Sequence, residues 1–148
     1  MAKTLALVFG IVFILVGILG FVPNPLVGMG AIFDTNMAHD IVHLLFGIIL
    51  VGCALRMPSQ SALWLKILGV VYLLIAVLGF MMVPNGGSLL GIVETNMADH
   101  LLHVVLGVVL LIAGFVGKGG AKPMATSMPS APAAPSNPPQ NPPMGGTM

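Results

Sequence analysis

Four apolar runs decide the fold class: Thr4–Val22, Met37–Leu55, Ser61–Val83 and Met97–Gly117. Each approaches or reaches the ~20 residues that a helix needs to cross a hydrocarbon core of ~30 Å. In that medium every backbone amide and carbonyl must be satisfied within the spanning structure, which leaves helices and closed barrels. Runs of this length without period-2 alternation are helices. The sequence therefore predicts an all-α membrane protein with four transmembrane helices. Charge agrees: 6% of the residues are Asp, Glu, Lys or Arg, against ~25% in an average soluble domain. A net charge of +1 says little about partners; the lipid bilayer is the expected one, and no nucleic acid is expected. Cys53, the single cysteine, lies inside the second run and excludes an intrachain disulfide. The first run is read as a retained span. It is longer than the ~7–15 apolar residues of a signal peptide, and Val22-Pro-Asn-Pro-Leu lacks a small-x-small cleavage pattern.

The chain repeats itself. Phe9–Phe21 aligns with Leu68–Phe80, Val22-Pro-Asn with Val83-Pro-Asn, and Asp34-Thr-Asn-Met-Ala with Glu94-Thr-Asn-Met-Ala. The unit is a helix, a Pro/Gly turn, a short apolar segment and a second helix, over residues 3–56 and again over 62–117. The apolar segments Leu26–Phe33 and Ser88–Val93 are too short to span and are expected at the membrane interface. Two spans per unit make the units two tandem helical hairpins that point the same way across the membrane. Lys3, Arg56, Lys66, Lys118 and Lys122 all fall on one side of this topology. By the positive-inside rule that side, with both termini, is cytoplasmic. Residues 1–118 thus form a four-helix membrane domain. Residues 119–148, rich in Pro, Ala, Ser and Met, bury too little apolar surface to offset their ordering entropy, and are expected to be a disordered cytoplasmic tail.

The polar residues are concentrated in two places. Asp34-Thr-Asn-Met-Ala-His-Asp-Ile-Val-His43 and Glu94-Thr-Asn-Met-Ala-Asp-His-Leu-Leu-His103 hold every histidine and every acidic residue of the chain. Asn36 and Asn96 are the expected helix caps. Beyond the polar turn, Ile41–Leu55 covers only ~22 Å at ~1.5 Å per residue, so the histidines must lie within the outer margin of the bilayer or the bilayer must thin there. Ionisable groups at such a depth face a bundle interior or a water-filled cavity. His39 and Asp40 precede His43 by four and three residues, and Asp99 and His100 precede His103 by four and three. Each deep histidine therefore has one His and one Asp a turn outward, in swapped order.

Three readings of this outward-facing cluster stay open. In the first, a structural or accessory membrane protein, His43 and His103 each bond the Asp of the other unit and lock the two together. In the second, His39, Asp40, His43, Asp99, His100 and His103 hold a transition metal such as Zn, Fe, Mn or Cu. A variant of it has His43 and His103 ligating a haem b, with Gly47 and Gly107 as clearance for the porphyrin; no c-type attachment motif is present. In the third, a proton-coupled carrier or pH sensor, the histidines titrate beside carboxylates. No Ser or Cys nucleophile accompanies the histidines, so no enzyme activity is expected. A homo-oligomer or a larger membrane complex remains open as a partner. Gly20-Phe-Val-Pro23, Asn36–Leu44 and Asn96-Met-Ala-Asp-His-Leu-Leu-His103 resemble the marks of a bacterial family of small four-span membrane proteins catalogued as a domain of unknown function. That resemblance covers about Leu5–Gly117. It implies the four-span fold and a bacterial cell (inner) membrane, and no activity.

Overall fold

The structure, a computed structural model, describes residues 1–117. The tail 119–148, with its expected disorder, lies outside the described residues. Four helices form the body: α1 (Ala2–Leu19), α2 (Met37–Arg56), α3 (Ser61–Met82) and α4 (Met97–Val116). All four are long and apolar enough to cross a membrane, and the chain is a membrane protein.

Local chemistry sets the helix ends. α1 stops before Gly20, and Asn24 organises the turn that follows. Its Nδ2 donates to the Leu19, Val22 and Val27 carbonyls, and its Oδ1 accepts from the Leu26 and Val27 amides. α2 begins at Asn36, whose Oδ1 accepts the His39 N–H at 3.0 Å. α4 begins at Asn96 with a full capping box: Asn96 Oδ1 accepts the Asp99 N–H at 3.1 Å, and Asp99 Oδ2 accepts the Asn96 N–H at 2.9 Å. Both expected caps are therefore in place, and each satisfies amides that a helix start leaves without partners. The turn between α2 and α3 is a single 3₁₀ turn, Pro58–Gln60.

α1 packs chiefly on α2, and α3 chiefly on α4, giving two hairpins. Glycines permit the close approach. A Cβ on Gly47 would meet the Gly10 carbonyl oxygen at 2.7 Å, and one on Gly107 would meet that of Gly69 at 3.0 Å. This corrects the expectation that Gly47 and Gly107 open space beside the imidazoles: the backbones of α1 and α3 fill that space. Small residues serve this role in membranes, where the hydrophobic effect does not drive helices together. The hairpins meet along a thinner seam. At its middle Phe13 stacks on Tyr72, with ring centres 5.3 Å apart and planes 6° from parallel. Leu50, Leu65, Leu68 and Leu110 complete the buried core around them.

The two apolar connections fold more than their sequence suggests. In the second, β1 (Gly87–Leu89) pairs antiparallel with β2 (Val93–Thr95) through a turn at Leu90 and Gly91, both with positive φ. The first closes with Val27 bridged to Phe33. Segments too short for a helix but close to hydrocarbon satisfy their backbone groups in this local way. Met29, Leu90 and Ile92 stay exposed at the loop tips.

Candidate metal centre

The mouths of α2 and α4 lie side by side and are cross-bonded. Asn36 Nδ2 donates to the Ile92 carbonyl and Asn96 Nδ2 to the Ile32 carbonyl, each at 2.9 Å. Each cap side chain thus starts its own helix and grips the loop of the other hairpin. Asp34 N–H donates to Asp99 Oδ2 at 3.1 Å, and His39 Nδ1 donates to the Glu94 carbonyl at 2.8 Å. Since a carbonyl only accepts, Nδ1 of His39 carries a proton, and in the neutral ring Nε2 is then the nitrogen able to act as a ligand.

Beneath these bonds sit three imidazoles. His39, His43 and His103 are 3%, 7% and 5% exposed. Ring centres are separated by 4.9 Å for His39 and His43, 5.8 Å for His39 and His103, and 6.4 Å for His43 and His103. One ring nitrogen from each lies within 4.8 Å of the others. Tyr72 forms the floor, 5.0 Å from His103 and 6.4 Å from His43 between ring centres, with Phe13 beside His43 at 5.8 Å. Both ring nitrogens of His43 and Nδ1 of His103 are buried and hydrogen-bond to no described residue. An unpaired buried polar atom costs ~1–3 kcal/mol, so these atoms require an explanation.

The six candidate ligands do not all converge. Asp99 borders the centre, lining one cavity together with His39, His43 and His103. Its carboxylate is already engaged as an acceptor for Asp34 and Asn96. Asp40 and His100 turn away. Asp40 packs its carboxylate against Gly20, where any Cβ would collide with it. His100 sits in the matching place against Gly79, edge-on to Phe80 at 5.2 Å, and its Nε2 donates to the Val83 carbonyl at 3.0 Å. The expected bond between each deep histidine and the opposite Asp is not formed. The helix mouths hold both carboxylates instead: Asp99 is spent on two backbone amides and Asp40 faces α1. Cross-bonding between the units falls to Asn36, Asn96, Asp34 and His39.

Haem fits poorly. A bis-His haem needs open space for the macrocycle between its two axial imidazoles. His39 stands beside both His43 and His103, and helix backbones occupy the flanks of Gly47 and Gly107.

A family model for a "Domain of unknown function (DUF4383)" matches residues 3–116. The chain belongs to the DUF4383 family. No curated protein and no solved structure matches the chain. The matched span takes in all four helices and both polar mouths of this DUF4383 chain, and it stops short of the tail. The family description assigns no chemistry, so function rests on the site itself. Several of that site's residues escape a reading of the polar block. Tyr72 and Phe13 hold matched places on α3 and α1, and a lone tyrosine inside a span was the available signal. Gly20 and Gly79 similarly hold matched places before the two Pro/Gly turns.

Proposed function

We propose that this protein holds one divalent transition metal between its two helical hairpins, with His39, His43 and His103 as ligands. The single observation behind this reading is His43, neither of whose buried ring nitrogens a protein group satisfies, set beside His39 and His103. A structural role for the histidines would engage those atoms with acceptors or donors, as it does for His100. Imidazole sets suit Zn, Cu, Fe and Ni, and three histidines with one open position are a recurring zinc arrangement. Bonds of ~2.0 Å to a tetrahedral ion place ligand nitrogens roughly 3.3 Å apart. The present separations, at most 4.8 Å, are closed by modest side-chain rotation. His39 supports the reading further, since a ligating imidazole normally donates its other N–H to a carbonyl or carboxylate, as His39 does to Glu94. The nearby Asp99 borders the site without entering the ligand set.

The two hairpins act as parallel-oriented repeats in the inner membrane, with cytoplasmic termini and the metal toward the outer face. The one-sided lysines and arginines and the reciprocal Asn36 and Asn96 bonds support this. A purely structural, accessory role is the second reading, favoured by those same cross-bonds. We assign no enzymatic reaction. Elemental analysis of the detergent-purified full chain distinguishes the two readings. Stoichiometric metal that disappears in His43→Ala supports the centre. Metal-free protein removes the centre, and a lowered melting temperature in metal-free His43→Ala then supports the accessory role.

A further inference from the structure

Three imidazoles leave a metal with at least one free coordination position, and the surroundings of the triad say from where that position is reached. Toward the loop side, the Asn36, Asn96, Asp34 and His39 bonds tie the two mouths together above the site. On either flank, along the seam between the hairpins, lies a cavity. One, of about 170 Å³, runs under the β-hairpin and is walled by Val42, Phe46, Ile75, Leu89 and Val93. The other, of about 210 Å³, lies on the opposite side, walled by Val16, Leu19, Leu26, Leu102 and Leu106. All three histidines border both cavities. The walls are almost wholly aliphatic and aromatic carbon; Thr35 and Asp99 are the other polar residues of the second cavity, and the unpaired nitrogens of His43, itself over nine-tenths buried, border both.

Resting on the metal reading above, we infer that the open position is served from the bilayer. Its ligand is a lipid-soluble molecule with an apolar body and a single metal-coordinating nitrogen or oxygen head. The argument is one of solvation. A small hydrated anion entering either cavity loses its water against walls that return almost no hydrogen bonds, and in the second it also meets the Asp99 carboxyl group, which is costly. An apolar molecule gains by leaving water for the same walls, and its head group completes the coordination shell. Pockets of this kind, mostly apolar with few convergent polar groups, are the usual form of small-molecule sites. The walls formed by Leu89 and Leu26 belong to the apolar connections, which explains why those segments fold back over the seam.

The test uses full-length protein in nanodiscs loaded with Co²⁺, whose visible bands report coordination. Two probes are titrated separately: 1-phenylimidazole, apolar with one donor nitrogen, and azide, a small anion. The expected result is a spectral shift with phenylimidazole at concentrations at least tenfold below those at which azide acts. The paired wall substitutions Val42→Trp and Leu102→Trp should weaken the phenylimidazole response at least tenfold while Co²⁺ loading persists. Ile75→Trp with Leu106→Trp provides a second pair should the first fail to fold. Azide acting as well as phenylimidazole, or an unchanged phenylimidazole response in both filled pairs, overturns lateral access and leaves the metal site standing. Failure of wild-type protein to take up Co²⁺ overturns the metal reading and this inference together.

Discussion

The mouth of α2 and the mouth of α4 are near copies in sequence, yet they put different chemistry in the same places. The position four residues before the deep histidine faces the other hairpin. In the first mouth it is His39, in the second Asp99. The position three residues before it faces the first helix of its own hairpin. There it is Asp40 against Gly20, and His100 against Gly79. Place in the bundle, not residue type, decides which side chains join the centre. Because the His–Asp order is reversed in one copy, the seam receives three imidazoles and one carboxyl group, an asymmetric set. A strict duplication with His39 and Asp40 in both mouths would gather four imidazoles and leave no acidic group on the seam.

The largest expected effect breaks that comparison by exchanging the first mouth's order. His39→Asp combined with Asp40→His replaces a ligand by a carboxylate and moves the imidazole to Gly20. Metal affinity should fall by more than the ~10–100-fold that follows loss of a group merely bonded to a ligand, as read by competition with a chelating dye. Asp99→Asn should come next, since it removes the carboxyl group beside the triad while keeping a group able to bond the mouth. A loss in metal affinity smaller than that of the exchanged mouth is expected in the same assay. The matched change Asp40→Asn should leave the metal in place.

Gly20→Ala and Gly79→Ala sharpen the comparison from the outer positions. Each drives a methyl into Asp40 or His100, and overpacking of this kind costs ~1–3 kcal/mol. Reversible unfolding in mixed micelles should register both losses, with metal stoichiometry unchanged. The smallest contrast lies in the turns. Asn24→Ala removes a side chain that bonds five backbone groups and should cost ~1 kcal/mol. The matching Asn85→Ala, exposed and without a side-chain bond among the described residues, should stay within ~0.5 kcal/mol.

Much of this fold is legible in the sequence because the bilayer leaves so few alternatives. Run length marks the helices Met37–Arg56 and Met97–Val116, and Asn36 and Asn96 mark where they begin. The site is less legible. Helical spacing places His39 and Asp40 equally near His43, because both i+3 and i+4 neighbours share a helix face. Which of the two meets α1 and which meets the other hairpin depends on how the two helices within each hairpin are rotated against each other. That rotation is set by Gly10 against Gly47 and Gly69 against Gly107, contacts that no local pattern near the histidines encodes. The same ignorance made Gly47 and Gly107 read as clearance for a porphyrin. The short strands Gly87–Leu89 and Val93–Thr95 were hidden for a different reason. Their apolar residues suit a membrane interface equally well in extended or irregular form.

Zinc K-edge absorption on the full-length, metal-loaded protein, counting imidazole ligands, tests the central claim most directly. The expected count is three nitrogen-donor imidazoles, dropping to two in His39→Ala and unchanged in His100→Ala. A count that falls with His100 and ignores His39, or a zinc ion carrying no imidazole at all, would contradict the account.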